Sequence, residues 1–301
     1  MSNIVVTGGC GFIGGHIVDE LILKGHSVTV IDDLSAPENS YFHFNKKAQY
    51  VEKDIFTDDC LAHFVGVDYV FHLAARSRIQ PTIGNPSSCF EVNVVGTQRV
   101  LEWSRLNGVK RIVYSGTSSL YGHQNKIPFQ PNMPADCLNP YSMSKWMGEQ
   151  VCKLYGQMYG LDTIVLRYFN VYGPREPLKG KYAPVIGLFK RQISEGNPIT
   201  IVGDGEQRRD FTFIKDVVSA NICVMTAKEV EGNFKIYNVG TGKNYSINEI
   251  AKMIGSEEDI VYLPERKAEV RETLADITAT VKDLGWQPKF SSDIDHIINS
   301  Y

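Results

Sequence analysis

The sequence predicts an α/β protein whose central sheet is parallel and doubly wound. Short apolar runs rich in β-branched residues alternate with stretches whose apolar residues recur at helical spacing. Such alternation of strands and helices places helices on both faces of a parallel sheet. A glycine-rich segment between the first predicted strand and the first predicted helix is the second observation that favours this fold class.

That glycine-rich segment reads Thr-Gly-Gly-Cys-Gly-Phe-Ile-Gly at residues 7–14. Gly8 permits a tight turn, Gly11 removes a side chain where a pyrophosphate must approach, and Gly14 allows the helix to pack closely on the strand. The helix N-terminus offers free N–H groups and the positive end of its dipole to phosphates. We therefore predict a Rossmann-type dinucleotide site, to which Phe12 and Ile13 also contribute.

Composition excludes several classes of protein. At 301 residues and 43% hydrophobic content, the chain can bury one large core or two smaller ones. Its net charge of −3 argues against nucleic acid or an anionic membrane as the main partner. The six cysteines are scattered, which favours free thiols over disulfides or a metal site. No apolar stretch is as long as a membrane span, so we expect a cytoplasmic protein.

The second predicted strand, at residues 27–31, ends in Asp32 and Asp33. Asp32 lies where a dinucleotide-binding fold places an acid on the adenosine ribose. A carboxylate there accepts hydrogen bonds from the ribose hydroxyls and repels a 2′-phosphate. No Arg or Lys follows before Lys46, so NAD is favoured over NADP, with Ser35 included in the predicted cofactor site. Two acids that merely cap a loop remain an alternative.

Three more strands are predicted, at residues 50–55, 68–75 and 111–114. The second of these runs into small residues, which suit a ligand lying across the carboxyl edge of the sheet. His72 stands in an apolar run, so we interpret it as a core histidine rather than a catalytic one. A long helix is predicted over residues 87–107.

A second helix is predicted over residues 141–159, after a proline-rich loop. Tyr141 and Lys145 are four residues apart and therefore share one face of this helix. A cationic amine near a phenol stabilises the phenolate and lowers its pKa, which makes the phenol usable as a base. Thr117, at the end of the preceding strand, can hydrogen-bond the same reacting oxygen. As a surface pair this spacing is common, but its place after a strand ending in Ser and Thr favours catalysis.

Three motifs together resemble the extended short-chain dehydrogenases/reductases. They are the glycine segment, Tyr-x-x-x-Lys at residues 141–145, and Leu-Arg-Tyr-Phe-Asn-Val-Tyr-Gly-Pro-Arg at residues 166–175. Within that family the chain resembles the NAD-dependent nucleotide-sugar 4-epimerases that act on UDP-glucose or UDP-N-acetylglucosamine. The resemblance implies a NAD-binding domain over residues 1–166, to which part of 206–240 returns, and a smaller α/β domain over 167–301 that mostly binds the nucleotide sugar.

The resemblance also implies roles for individual residues in the catalytic and cofactor sites. Tyr141 matches the catalytic base, Lys145 the residue that holds the nicotinamide ribose, and Thr117 the active-site hydroxyl. No metal is implied. Further positions that match cofactor contacts in the family are Asp54, Ile55, Leu73, Ala74, Ala75, Asn93, Ser115 and Tyr168.

On the substrate side, the resemblance implies that Asn170 meets the diphosphate and that Arg209 and Arg266 clamp its two phosphates. Arginine suits this task because its planar fork pairs bidentately with phosphate oxygens. Positions that match contacts to the nucleotide are Val185, Thr200 and Val202 for the base and Glu269 for the ribose.

The implied reaction inverts C4 of the sugar through a transient 4-keto intermediate. Dehydratases of the family carry Asp-Glu directly after the active-site Thr, because elimination of water across C5–C6 needs a further acid and base. Decarboxylases usually carry Glu there. Here Ser118 and Ser119 stand in those positions. A UDP-glucuronate 4-epimerase, which shares the plain Ser/Thr loop, remains an alternative, as does a catalytically silent NAD-binding scaffold.

Two residues bear on the choice of sugar. Thr273 matches a gatekeeper position that is a bulky Tyr in epimerases restricted to plain hexoses. A small residue there implies room for an N-acetyl group, and hence activity on both kinds of sugar. Arg78 is a departure, because relatives often have a small polar residue there; binding of a carboxylate and simple exposure to solvent are both open, and exposure is favoured.

The predicted helices at 87–107 and 141–158 resemble those that form a four-helix bundle across a homodimer in this family. A homodimer is therefore expected. Candidates for the outer apolar faces are Val100, Trp103, Val151 and Leu154, although all four could equally face the sheet.

Overall fold

The structure is a computed structural model and describes residues 1–36, 42–178, 183–228, 233–255, 260–265, 270–291 and 294–301. Its strands, in chain order, are β1 (Asn3–Thr7), β2 (Ser27–Asp32), β3 (Gln49–Glu52), β4 (Tyr69–His72), β5 (Arg111–Thr117), β6 (Asp162–Tyr168), β7 (Val171–Tyr172), β8 (Ile199–Val202), β9 (Arg208–Arg209), β10 (Thr212–Phe213), β11 (Phe234–Val239), β12 (Tyr245–Ser246) and β13 (Ile260–Leu263).

Seven of these strands form one parallel sheet, in the order β11-β6-β5-β4-β1-β2-β3. The chain enters at β1, moves to one edge through β2 and β3, and then returns to β4 on the other side of β1. This reversal of strand order beside β1 is the switch point at which open α/β sheets form a crevice for ligands. The predicted doubly wound parallel sheet is confirmed.

Helices cover both faces of this sheet. They are α1 (Phe12–Leu23), α2 (Ile79–Gly84), α3 (Pro86–Phe90), α4 (Thr97–Leu106), α5 (Pro140–Tyr159), α6 (Val185–Ser194), α7 (Ile214–Thr226), α8 (Ile247–Ile254), α9 (Thr278–Leu284) and α10 (Ile294–Asn299). A π-helical turn over Glu91–Gly96 joins α3 to α4, so the predicted helix over 87–107 is continuous but irregular. None of the described helices is long and apolar enough to cross a membrane.

The core consists of two main layers, one on each face of the sheet. Apolar residues of α1 and α7 pack on one face, and those of α4 and α5 pack on the other. Every residue of β5 and β6 is buried. Strands that are buried on both faces are expected in a parallel sheet covered by helices.

The part of the chain after β6 builds a smaller region beside the carboxyl edge of the sheet. Three short strand pairs, β7–β10, β9–β12 and β8–β13, lie there with α6 and α8. From this region the chain returns to the main sheet as β11, which pairs with β6 at the edge. The cavity described below lies between this region and the sheet.

His72 is a core histidine, as predicted. Its Nδ1 lies 2.7 Å from the hydroxyl of Thr7 and its Nε2 lies 2.9 Å from that of Thr97. Complete burial lowers the pKa of the imidazole to about 3, so the ring is neutral.

The candidates for an outer apolar face divide between the core and the surface. Val100 and Trp103 are buried against the sheet, and Val151 packs partly against the same core. Leu154 is 51% exposed and does lie on an outer face. The interpretation of Val100 and Trp103 as possible outer-face residues is therefore wrong, because the apolar face of α4 is needed to cover the sheet.

Candidate active site

A cavity of about 900 Å³ lies along the carboxyl ends of the parallel strands. The ends of β1, β2, β4, β5 and β6 form its floor, and the region after β6 forms its opposite wall. The cavity is therefore at the switch point, where the fold leaves strand ends uncovered. One continuous space joins the glycine segment to the residues predicted for the substrate.

The glycine turn is packed as the sequence predicts. Gly8 has φ +70°, and a Cβ on it would lie 2.6 Å from the backbone nitrogen of Ala74. A Cβ on Gly14 would lie 2.2 Å from the carbonyl oxygen of Gly8, which leaves no room for any side chain. The helix α1 begins after Gly11 without a side-chain cap and without an acidic residue in its first turn. Its N–H groups and dipole are thus available to an anion.

Asp32, at the end of β2, lines the cavity beyond the glycine turn. One of its carboxylate oxygens accepts from the backbone N–H of Cys10 at 2.9 Å and the other from that of Leu34 at 2.9 Å. Burial raises the pKa of this carboxyl, and the two N–H donors oppose the rise. Each oxygen keeps a second lone pair, so the carboxylate can still accept bonds from a ribose.

Arg76, in the loop after β4, is a residue that the sequence reasoning missed. Its guanidinium lies 3.8 Å from the carboxylate of Asp33 and donates to the hydroxyl of Ser35. From the sequence alone, only the residues that follow Asp33 along the chain are expected near the adenosine end. Arg76 reaches the same place from the loop after β4, because β1 lies between β2 and β4 in the sheet and pairs with both.

The helix that carries Tyr141 begins at a well-defined point. The Asn139 side chain accepts from the backbone N–H of Ser142 at 2.9 Å, the Ser142 hydroxyl lies 3.3 Å from the backbone nitrogen of Asn139, and Pro140 occupies the first turn. This capping box and a proline with a fixed φ start α5 one residue before Tyr141. The tyrosine thus lies in the first turn, beside the carboxyl end of β5.

Thr117, Tyr141 and Lys145 meet at this end of β5 and all three line the cavity. The Thr117 hydroxyl acts to lower the pKa of the Tyr141 phenol and is hydrogen-bonded to the hydroxyl of Ser119 at 3.1 Å. Lys145 lies one turn further along α5, is only 3% exposed, and holds its ammonium 4.2 Å from the centre of the Tyr114 ring. The arrangement gives a hydroxyl, a phenol and a cation on one wall.

The pKa values of these groups differ in part from the sequence prediction. Burial raises the pKa of Tyr141, and the groups that oppose the rise are the Thr117 hydroxyl and the Arg78 guanidinium rather than Lys145. The expected lowering of this pKa by Lys145 is therefore not found in the structure. Burial lowers the pKa of Lys145 itself to about 8, against the attraction of the Glu149 carboxylate.

A buried ion pair lies directly behind Lys145. Glu149, one turn further along α5, is completely buried and receives bonds from Arg167 of β6 at 2.7 and 3.2 Å. Arg167 also donates to the hydroxyl of Tyr121 at 2.9 Å and to a backbone carbonyl at 3.0 Å. Because every charge here has partners, the network fixes α5 against the sheet.

The opposite wall of the cavity comes from the region after β6. Asn170, at φ +26°, donates to the carbonyl of Asp210 at 2.9 Å and to the hydroxyl of Thr273 at 3.3 Å. Arg209 lines the same wall and donates to the carbonyls of Arg208 and Arg271. These side chains come from distant parts of the sequence, and the hydrogen bonds between their segments hold them in one surface.

Most of the predicted site residues line this one cavity. The cofactor set there comprises Gly8, Gly11, Phe12, Ile13, Gly14, Asp32, Asp33, Ser35, Asp54, Ile55, Leu73, Ala74, Ala75, Ser115 and Tyr168. The substrate set there comprises Thr117, Asn170, Val185, Thr200, Val202, Arg209 and Thr273. Arg266 and Glu269 lie outside the described residues.

Among the predicted site residues that the structure describes, Asn93 does not line the cavity. It is 1% exposed, accepts from the backbone N–H of Arg76 at 2.7 Å, and donates to the hydroxyl of Ser144 at 2.9 Å. Its amide thus ties the loop after β4 to α5. The structure places it behind the wall, as a support for Arg76 and its neighbours.

Arg78 is not a solvent-facing residue, contrary to the expectation. It precedes α2, is half-buried, and lines the cavity on the side of Tyr141. Gln80 lines it as well, and its amide nitrogen is buried without a hydrogen-bond partner. Sequence alone could not place them, because the direction of the loop after β4 depends on its contacts with α5.

The donor set of the cavity fits a dinucleotide. An uncapped helix N-terminus, a glycine turn and a carboxylate follow one another along the strand ends, in the order of the pyrophosphate and adenosine ribose. Among the described residues, no group of three or more His, Cys, Asp or Glu side chains is arranged to hold a metal ion. The fold and the cavity therefore define a Rossmann-type dinucleotide-binding protein with a second, adjoining ligand site.

Comparison with known proteins gives the particular family. Residues 4–240 match the model of the NAD dependent epimerase/dehydratase family, and the chain belongs to that family. NAD is accordingly its cofactor. A UDP-glucose 4-epimerase of Mycolicibacterium smegmatis is 35% identical over 296 residues, covering 95% of this chain and 93% of the relative.

Other relatives differ in the sugar named. A UDP-glucuronate 4-epimerase of Thermodesulfobacterium geofontis is 35% identical over 308 residues, covering 97% of this chain and 93% of the relative. The crystal structure of a UDP-glucose 4-epimerase of Thermotoga maritima with UDP-glucose matches with a TM-score of 0.90 at 34% identity, covering 98% of this chain and 96% of that one. The chain is thus UDP-sugar 4-epimerase-like.

Proposed function

We propose that this protein is a UDP-sugar 4-epimerase that interconverts sugars such as UDP-glucose and UDP-galactose. The observation that carries the proposal is the presence of Thr117, Tyr141 and Lys145 together in one continuous cavity. A dinucleotide cradle lies on one side of these residues, and the wall of Asn170, Arg209 and Thr273 lies on the other. A sugar held by that wall would present its C4 hydroxyl to the phenol.

The residues of the chain divide the acid–base work. Tyr141 takes the proton of the C4 hydroxyl in its phenolate form, which the Thr117 hydroxyl and the Arg78 guanidinium favour against the effect of burial. The Thr117 hydroxyl is assigned to donate to the C4 oxygen. Lys145 is assigned to the nicotinamide ribose, behind the phenol. The glycine turn and Asp32 would hold NAD, which would supply the hydride acceptor and donor that a change of configuration at C4 requires.

Inversion requires that the keto sugar turn over without leaving. Asn170 and Arg209 are assigned to the diphosphate, so the nucleotide end stays anchored while the ring rotates. Ser118 and Ser119, which follow Thr117 along the same wall, offer neither the carboxylic acid nor the carboxylate that elimination of water needs. This favours epimerisation over dehydration or decarboxylation.

The N-acetylated sugars are proposed as additional substrates. Thr273 lines the cavity, and its hydroxyl accepts from the backbone N–H of Asp210 at 3.2 Å. A threonine there leaves more space than the tyrosine of hexose-restricted epimerases. Good turnover of UDP-glucose without any turnover of UDP-N-acetylglucosamine would contradict this part of the proposal.

The proposal is tested by incubating the purified protein, without added NAD, with UDP-glucose, UDP-galactose, their two N-acetylated counterparts and UDP-glucuronate. We expect the same mixture of C4 epimers from either member of a pair, with no net formation of NADH. Accumulation of a 4-keto-6-deoxy sugar, release of CO₂, or no conversion by protein that contains NAD would each contradict a 4-epimerase. The last result would support the scaffold alternative.

We also propose that residues 1–166 with the returning segment bind NAD, while residues 167–301 mostly bind the nucleotide sugar. The cysteines of the described structure are free thiols, and most of them are buried. Free thiols favour a reducing compartment, so we propose that the protein acts in the cytoplasm.

A homodimer through α4 and α5 is proposed as well. The exposed apolar side chains of α5 recur at helical spacing along one stripe, namely Met143, Met147, Leu154 and Met158. Leu154→Glu should convert a dimer into a monomer in light scattering, and an unchanged mass would contradict the assignment of this face.

A further inference from the structure

The loop between β4 and α2 brings a cation to the reacting end of the cavity. Arg78 immediately precedes α2, with an extended backbone at φ −114° and ψ 130°, and its side chain lines the cavity. Arg78 and Tyr141 line the same cavity, and the charge of the guanidinium acts to lower the pKa of the phenol. Its charge therefore acts on the atom that would take the proton of the C4 hydroxyl.

The charges that line the cavity are unevenly distributed. Its carboxylates, among the described residues, are Asp32, Asp33 and Asp54, which lie at or directly after the ends of β2 and β3 at the adenosine end. The cation Lys53 also lines the cavity there. Arg76 is paired there with Asp33. Around Tyr141 the described lining residues bring hydroxyls and amides but no carboxylate, namely Thr117, Ser118, Ser119, Asn170 and Thr273. The reacting end is consequently positive and suits an anionic group on the substrate.

The position of the cation limits which part of a sugar it can meet. If the phenol contacts the C4 oxygen, the nearest substituents are those on the two carbons next to C4. These are the C3 hydroxyl and the C6 group on C5, and of the two only C6 can be a carboxylate without a change in the ring. An N-acetyl group on C2 lies one carbon further away and carries no charge.

We propose that Arg78 binds the C6 carboxylate of a UDP-hexuronic acid and makes such a sugar the preferred substrate. This inference rests on the proposed 4-epimerase function. A guanidinium pairs with a carboxylate through two parallel N–H···O bonds, which fix orientation as well as charge. With a plain hexose the same guanidinium meets a neutral C6 hydroxyl and loses those charge-assisted bonds, so the hexose is bound less well.

The first experiment compares kcat/KM for UDP-glucuronate and UDP-glucose in the wild type, Arg78→Met and Arg78→Lys. We expect the wild type to prefer the uronate by at least about tenfold. Arg78→Met should reduce kcat/KM for the uronate by roughly 30- to 100-fold and that for the hexose far less, while Arg78→Lys keeps part of the preference. An equal loss with both sugars would overturn the proposal, because a contact with phosphate or with the phenol alone affects both.

Arg76→Met is the matched control, since Arg76 lies two residues earlier in the same loop and faces the adenosine end. It should leave the ratio of the two kcat/KM values unchanged. A fall in that ratio as large as the one for Arg78→Met would contradict a specific role for Arg78.

The second experiment measures binding without turnover, in a variant that lacks the phenol whose pKa Arg78 affects. In Tyr141→Phe protein that contains NAD, UDP-glucuronate should bind about tenfold or more tightly than UDP-glucose in calorimetry, and addition of Arg78→Met should abolish this difference. Equal affinities in the single variant would overturn the inference. Failure of the wild type to epimerise any UDP-sugar would instead contradict the proposed function, so the two failures are distinguishable.

Discussion

The two walls of the cavity are built in different ways. The wall that carries Tyr141 and Lys145 belongs to one helix, α5, which is fixed by a capping box at its start and by the Glu149–Arg167 pair behind it. The wall that carries Asn170 and Thr273 is assembled from segments about a hundred residues apart in sequence, joined by hydrogen bonds such as that of Asn170 to Thr273. The first wall holds the catalytic residues in a fixed arrangement. In the second wall, substitutions can alter which sugar is bound with little effect on the fold.

The largest effect should come from the rigid wall itself. Tyr141→Phe removes the hydroxyl that takes the proton and should lower kcat by roughly 10³-fold or more. Tyr159→Phe, on the exposed last turn of the same helix, is the control and should keep full activity. Substantial activity in Tyr141→Phe, with NAD content unchanged, would show that another group is the base.

The glycine turn that forms the cofactor cradle is predicted to be equally intolerant of substitution. Gly14→Ala would place a Cβ 2.2 Å from the carbonyl of Gly8, so the turn must shift. We expect a loss of about 1–3 kcal/mol in the free energy of unfolding and protein that is purified without NAD. Gly84→Ala, at a site with no atom within 4 Å of the new Cβ, should change neither the unfolding free energy nor the NAD content.

A substitution in the assembled wall should change kcat/KM for one sugar much more than for another. Thr273→Tyr should lower kcat/KM for UDP-N-acetylglucosamine by roughly 10- to 100-fold and affect UDP-glucose much less, because the larger side chain occupies the space for the acetyl group. Thr273→Ser keeps the hydroxyl that Asn170 and Asp210 use, and should behave as the wild type. An equal loss with both sugars in Thr273→Tyr would mean that Thr273 only supports the wall.

The smallest effect is a shift in pH dependence. Burial lowers the pKa of Lys145 to about 8 and the Glu149 carboxylate opposes that, so the ammonium is lost as pH rises through about 8. Glu149→Gln removes the opposing charge, lowers this pKa further, and should move the alkaline decline of kcat/KM to lower pH by about one unit. Glu91→Gln, on an exposed site, is the control. A decline at an unchanged pH would show that Glu149 only supports the fold.

The local sequence pattern was sufficient to predict the glycine turn, the pair of Tyr141 and Lys145, and the core position of His72. The glycines at 8, 11 and 14 and the pair Tyr141 and Lys145 were recognised from spacing alone, because a turn and one helix face involve neighbours in sequence. The core role of His72 also followed from its apolar surroundings. Spacing along a helix says nothing of burial, which raises the pKa of the Tyr141 phenol and lowers that of the Lys145 ammonium.

The sequence by itself determined the parallel α/β fold, the dinucleotide turn and the tyrosine–lysine face, since each depends on residues a few positions apart. Only the tertiary structure decided which loops meet. It brought Arg76 to Asp33, turned Asn93 into a support behind the wall, and directed Arg78 toward Tyr141. These outcomes depend on the order of strands in the sheet, which sets the neighbours of every loop at its carboxyl edge.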